Sequence, residues 1–187
     1  MPTSVTSNGT TEHDGLILWS NIIRLHKTTG VSEDLQQYPE FAAAVILSRG
    51  YSLAEEGKIE EAIAAYHQAE TLNPKLEIAA EFWNQLCWFG SLHYHAEMVL
   101  FAGEKAVELE DYNLSYRDTR GIARALTGNI TGAIADFQAV LDSNYFNNWK
   151  EEKKQQRQRW LAALKRGENP FTASELEGLR DRFLRGF

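Results

Sequence analysis

From residue 41 onward, apolar residues recur every three or four positions and strand-like alternation is nearly absent, so the pattern predicts helices. Short breaks divide them: Glu56-Gly57-Lys58, Asn73-Pro74, Gly90-Ser91, Asp111-Tyr112-Asn113, Thr127-Gly128-Asn129 and Gly167-Glu168-Asn169-Pro170. Helices joined by turns this short are expected to be antiparallel neighbours. Ahead of them, LILWSNIIRLHK places Leu16, Trp19, Ile22, Ile23 and His26 at helical spacing and predicts an amphipathic lead-in helix. Tyr38-Pro39 marks a boundary after it. Residues 1–14 are mainly polar and small and read as a disordered tail.

The helical region is internally periodic. Gly50 is followed by Gly57, Ala62, Tyr66, Ala69 and Pro74 at intervals of seven, five, four, three and five residues. Gly121, Gly128, Ala133, Phe137, Val140 and Tyr145 repeat those five intervals 71 residues later. Between them, residues 77–111 have room for one more helix pair of looser pattern, with Ala96, Leu100, Gly103, Ala106 and Val107 on its second helix. The spacing has a steric reading. Small residues at Gly50 and Ala62 let two helices approach, Tyr66 fills the space behind them, and Gly57 supplies the positive φ of a helix-ending turn. Ala69 leaves room for the next pair to stack, and Pro74 stops the second helix.

On these residues the chain resembles the tetratricopeptide family of helix-turn-helix repeats. The resemblance covers residues 41–146. The third copy has Tyr145 where the family usually has proline, and the second has Cys87 near the place of the first glycine. The phrases FWNQLCWFGSL, FAGEKAVELE, YRDTRGIARALTGNITGAIADFQ and ALKRGENPFTASELEGLR look like a narrower group. That group is the C-terminal tetratricopeptide module of cyanobacterial and other bacterial multidomain proteins. The resemblance implies an all-α solenoid of about three repeats (41–75, 76–112 and 113–146). An N-terminal helical lead-in over 15–40 would precede them, and C-terminal capping helices over 147–187 would follow. It also implies protein–protein interaction without catalysis. A cap is needed because the last repeat has no neighbour to cover its apolar face. NNWKEEKKQQRQRWLAALKRG supplies one, with Trp149, Trp160, Leu161 and Leu164 on its apolar side, and Thr172 with Glu175 forms a capping box for a last helix.

Composition narrows the function classes. The chain has 187 residues and net charge −7, which disfavours general affinity for nucleic acid or membranes. The charge is uneven: residues 149–187 carry ten cations against six carboxylates, and residues 1–148 carry nine against twenty. Even so, a basic run such as Lys150, Lys153, Lys154, Arg157 and Arg159 is more often a solvated helix face than a nucleic-acid site. The single cysteine cannot form an internal disulfide, and with no secretory signal in the first residues a cytoplasmic protein is expected.

Three constellations could carry chemistry. Arg117, Arg120 and Arg124 fall on one helix face flanking Gly121, where the repeat register puts large apolar residues in most family members. Glu97, Glu104 and Glu108 share a face of the preceding helix, so an ion-pair seam between repeats two and three is one reading. A solvated cationic face and a site for an acidic partner are the others. Second, the register puts Leu47, Tyr51, Asn84, Trp88, Asp118 and Ile122 along a concave groove suited to a peptide, unless Trp88 packs in the core. A terminal carboxylate is disfavoured there, since no lysine or arginine falls at these positions and Asp118 would repel it. Third, Cys87, His93 and His95 fit no strong zinc pattern, and Cys87 in QLCWFG reads as a buried, inert thiol. No metal, cofactor or catalytic residue is expected.

The expected function is thus a non-catalytic adaptor that holds a peptide segment or domain of another protein in the groove. The alternative is a structural or oligomerisation module whose groove is filled by its own N-terminal helix. The seam reading makes a measurable claim. Arg120→Ala should destabilise the fold, and removing Glu104 as well should add less than its separate effect. A denaturation double-mutant cycle measures the coupling, and strict additivity would exclude the seam.

Overall fold

The computed structural model describes residues 39–143 and 151–184. The expected tail, nearly all of the lead-in helix, Trp149 and Lys150 lie outside the described residues. Among those described, the chain is all-α, with eight helices and no strand. They are α1 (Pro39–Glu55), α2 (Ile59–Leu72), α3 (Ala80–Leu92), α4 (Ala96–Leu109), α5 (Leu114–Leu126), α6 (Ile130–Asp142), α7 (Glu151–Lys165) and α8 (Ala173–Leu184). Pro39 opens α1, where its missing N–H is no loss. Asn113 and Asn129 cap α5 and α6, accepting from Ser115 N at 3.2 Å and Gly132 N at 3.0 Å.

The helices pair as hairpins α1/α2, α3/α4 and α5/α6. The first helices α1, α3 and α5 also touch in series, α2 reaches α3, and α4 reaches α5. Helix α7 covers α6, and α8 returns to pack on α3. Two apolar clusters result. One gathers α1 to α4 around Tyr66, Trp83, Leu86 and Phe89. The other gathers α5 to α8 around Ile122, Phe137, Trp160 and Leu176. Trp88 packs against both.

Each hairpin has a close crossing where a small residue meets a larger one. A Cβ on Gly50 would stand 2.8 Å from the Tyr66 ring, and one on Gly121 3.1 Å from the Phe137 ring. In the middle hairpin the roles are exchanged: Cys87 sits on the first helix, and a Cβ on Gly103 of the second would stand 2.7 Å from its sulfur. That exchange is why the middle copy looked irregular in sequence. Tyr66 also donates its hydroxyl to Phe82 O at 2.9 Å and lies 5.2 Å from the Trp83 ring, which ties the first hairpin to α3.

The hairpin turns recur as well. Gly57 and Gly128 have φ of +80° and +82°, and the equivalent position of the middle hairpin is Tyr94, with φ of +68°. The turn expected at Gly90-Ser91 is therefore misplaced: α3 continues to Leu92, and the chain reverses through His93 to His95. Gly90 serves packing instead, since a Cβ there would stand 2.5 Å from Val99. The capping box expected at Thr172 forms only in part. Thr172 Oγ1 accepts from Glu175 N at 3.3 Å, but the Glu175 carboxylate turns away, accepting from Gln156 Nε2 and from Trp160 Nε1 at 3.1 Å.

The two turn glycines should respond differently to a side chain. Gly128→Ala meets nothing within 4 Å and should cost about 1–2 kcal/mol, from the left-handed backbone alone. Gly57→Ala carries the same strain and also meets the His93 ring at 2.5 Å, so its loss should be larger. Urea denaturation of both variants checks the order.

Candidate partner-binding groove and buried ion pairs

The arginine face is a structural network, and only part of the expected seam takes part in it. Arg120 donates to Glu104 at 3.0 Å and to both oxygens of Asp136, at 3.0 Å and 2.6 Å. Arg124 donates to both oxygens of Glu104, each at 2.9 Å, and to Asp136 Oδ2 at 2.9 Å. Two guanidinium forks thus share two carboxylates across α4, α5 and α6. Burial alone lowers the Arg120 pKa, but the hydrogen bonds and attraction of Asp136, with Glu104 adding to them, outweigh it and leave the pKa raised. Asp136 is only 1% exposed, whereas the Glu104 side chain is 42% exposed, so Asp136 is the anion that needs its partners most.

The other three expected members stand apart. Arg117 donates its Nε to Asp111 O at 3.1 Å, in the turn before its own helix. Glu97 and Glu108 are exposed on α4, where ion pairing gains little over hydration. Asp136 was missed, although the sequence holds a signal for it. Ala133, Asp136, Phe137 and Val140 share one face of α6, and a carboxylate on an apolar face implies a cation nearby.

A second buried pair fastens the C-terminal helices to the hairpins. Arg157 of α7 donates through Nε to both oxygens of Asp118, each at 3.1 Å, and through a terminal nitrogen to Oδ2. Their side chains are 7% and 6% exposed. Arg157 also donates to Gln156 Oε1 at 3.0 Å and lies 4.7 Å from the centre of the Trp160 ring. Its position with Trp160, Leu161 and Leu164 on one face of α7 was the sequence signal for this burial. A solvated basic face therefore does not describe Arg157, although Arg159 is exposed.

The expected groove residues divide. Leu47 and Ile122 are core, with Ile122 fully buried beside Phe137 and Trp160. Tyr51 is half-buried and packs edge-on against Phe82 and Phe89, at 6.4 Å and 6.0 Å between ring centres. Its phenol pKa is raised by burial first, then by Glu55 and Glu81. These three face the interior because the close crossings turn that side of the first helices inward. Asn84, Trp88 and Asp118 do border an open space. It is a cleft of about 610 Å³ bounded by α3, α5, α7 and α8. Helix α8 partly covers it: Phe183 lies 6.5 Å from the Trp88 ring and 5.0 Å from the Phe89 ring.

The cleft changes the charge expected of the groove. Asp118 is neutralised by Arg157, and Lys153, Arg157, Arg159 and Arg182 reach the lining from α7 and α8. A terminal carboxylate was disfavoured because no cation falls on the first helices at these positions, but the C-terminal helices bring cations to the cleft. Two lining residues each hold a buried side-chain atom without a hydrogen-bond partner among the described residues: Asn84 Oδ1 and Trp88 Nε1. Cys87 lies outside the cleft, fully buried, and burial pushes its thiol up to about 12, a setting for packing rather than nucleophilic chemistry. His95 faces Glu60 at 3.6 Å, and no group of three metal-ligating side chains gathers among the described residues. No helix there is long and apolar enough to cross a membrane. Set against models of known protein families and against curated protein sequences, the chain matches none.

The Arg157–Asp118 pair yields a stability prediction. Arg157→Met leaves a buried carboxylate without its counter-charge and should cost about 3–5 kcal/mol. Adding Asp118→Leu should recover much of that loss, because the pair is then replaced rather than broken. Guanidinium denaturation of the single and double variants measures the recovery.

Proposed function

We propose that this chain is a cytoplasmic, non-catalytic adaptor built as a tetratricopeptide-type array, and that it holds a segment of another protein in the cleft between its first helices and its C-terminal helices. One observation carries the reading: Asn84 and Trp88 border the cleft, and each holds a buried side-chain polar atom without a hydrogen-bond partner among the described residues. Buried polar groups are normally satisfied, so these two exceptions ask for an explanation, and a bound segment that shifts the lining supplies one in this reading. Two further features support the array. Left-handed turn residues recur at positions 57, 94 and 128, and a small residue faces a larger one at every hairpin crossing. The same features suit the likeness to C-terminal modules of bacterial multidomain proteins. Neither nucleic acid nor a membrane belongs to this reading.

The competing reading is a structural or oligomerisation module. The packing of α8 onto α3 favours it to the extent that the groove is already partly occupied, by the C-terminal rather than the N-terminal helix. Asn84→Leu separates the two. It removes an unsatisfied buried oxygen, so the folded state should keep its melting temperature or gain slightly. Affinity capture from native lysate should nevertheless lose, with Asn84→Leu, a protein that wild type retains. Equal capture by both, together with a mass in solution that grows with concentration, would assign the chain to self-assembly.

A further inference from the structure

We infer that the second half of α8, Gly178–Leu184, is an autoinhibitory strap: it lies across the cleft while no partner is bound and peels away to admit one. The inference rests on the adaptor reading and adds the regulation of that site. The two halves of α8 are held differently. In the first half, Leu176 is fully buried in the second apolar cluster with Phe171 and Trp160, and the Glu175 carboxylate accepts from Gln156 and Trp160 of α7. In the second half, Leu179 and Phe183 lie on the same helix face as Leu176, and both border the cleft. Asp181 and Arg182 are exposed, with no salt bridge among the described residues. Gly178 stands where the halves join. A Cβ there would meet nothing within 4 Å, whereas one on Gly50, Gly103 or Gly121 would press on a neighbour. Packing therefore gives no reason for glycine at 178. What glycine does there is weaken the helix, by about two- to fivefold in the local helical equilibrium relative to alanine. Unwinding from that point releases Leu179 and Phe183 and leaves Leu176 and Glu175 anchored.

The strap covers apolar ground. Phe183 meets the Phe89 ring edge-on, with 5.0 Å between ring centres, and lies 6.5 Å from the Trp88 ring. Its departure uncovers an aromatic surface on α3, and Arg182 leaves with it, while Lys153 and Arg159 of α7 stay at the lining. The opening unit is one end of a helix. Such ends open locally at less cost than a packed core, and mobile covers over binding sites are drawn from them. A partner and Phe183 compete for the same ground, so the closed strap and the filled cleft exclude each other. The apparent affinity of any partner is then the intrinsic affinity scaled by the fraction of chains whose strap is open. Helix α8 thus has two jobs, one for each half: the first closes the second apolar cluster, and the second sets how often the cleft is available.

The test uses the full chain and two probes, amide hydrogen exchange over residues 180–184 and the dye anilinonaphthalene sulfonate, whose apolar rings and negative charge suit an uncovered aromatic surface beside cations. Gly178→Ala strengthens the strap and should slow the exchange, and weaken dye binding, by about two- to fivefold. Phe183→Ala removes the plug and should speed the exchange, and strengthen dye binding, by about fivefold or more. Exchange in the α7 amides of residues 160–164 should stay unchanged in both variants, which separates strap opening from a general loss of stability. The opposite signs are the signature of a strap. Were Phe183 a fixed wall of the cleft, Phe183→Ala would weaken dye binding, and that result would overturn the inference. So would exchange over 180–184 that Gly178→Ala leaves unchanged. In lysate capture, Phe183→Ala should raise recovery of the protein that Asn84→Leu loses. Failure of the strap signs while capture still depends on Asn84 would leave the adaptor reading standing. Loss of that dependence, with the strap signs intact, would remove the adaptor reading and keep the strap.

Discussion

The close approach of paired helices is the constraint on which the other features rest. Each hairpin brings two backbones near enough that one side of the crossing can carry almost no side chain, while the other fills the gap: Gly50 with Tyr66, Gly103 with Cys87, and Gly121 with Phe137. Interiors are packed without voids, so the pairs are complementary rather than independently variable. That complementarity explains how the middle hairpin keeps its geometry after exchanging which helix carries the small residue. Crossings this tight also fix how the first helices are rotated. The rotation sends Leu47 and Ile122 into the core and leaves Asn84, Trp88 and Asp118 at the edge of a cleft.

Charge then joins the hairpins to each other and to the C-terminal helices. The Arg120, Arg124, Glu104 and Asp136 network holds three helices together, and the Arg157–Asp118 pair holds α7 against α5. Buried pairs of this kind contribute less net stability than their short distances suggest, because desolvation offsets attraction. A helix rotation that parted them would leave a buried Asp136 or Asp118 without its cation, which is costly. Using Arg throughout fits this role, since its planar fork binds a carboxylate through two directed hydrogen bonds, whereas a lysine ammonium is a point charge without that geometry.

The groove has a composite origin. Its floor comes from α3 and α5, and its cations come from α7 and α8. Helix α7 covers α6, and α8 reaches back as far as α3, where Phe183 meets Trp88 and Phe89. Helices α7 and α8 therefore narrow the cleft and bring cations to its lining. The orphaned Asn84 and Trp88 atoms sit where these two parts meet.

By itself, the sequence determined the helices and most of their boundaries. Apolar spacing and turn chemistry act over a few residues and need no knowledge of distant neighbours, so Gly57, Gly128, Asn113 and the apolar side of α7 were legible. It also marked Arg117, Arg120 and Arg124 with Glu97, Glu104 and Glu108 as an unusual set, because cations flanking a packing glycine demand an explanation, but only Arg120, Arg124 and Glu104 of these join the network. Tertiary structure alone decided the rest. Gly90 read as a turn because its real constraint, contact with Val99, lies on another helix. Asp136 and Arg157 announced themselves only as charges on apolar faces, and nothing local tells which partner answers each. The cleft depended most on tertiary structure. Its lining comes from residues nearly a hundred positions apart, and whether its charge repels or attracts a carboxylate turns on α7 and α8 folding back over α3 and α5.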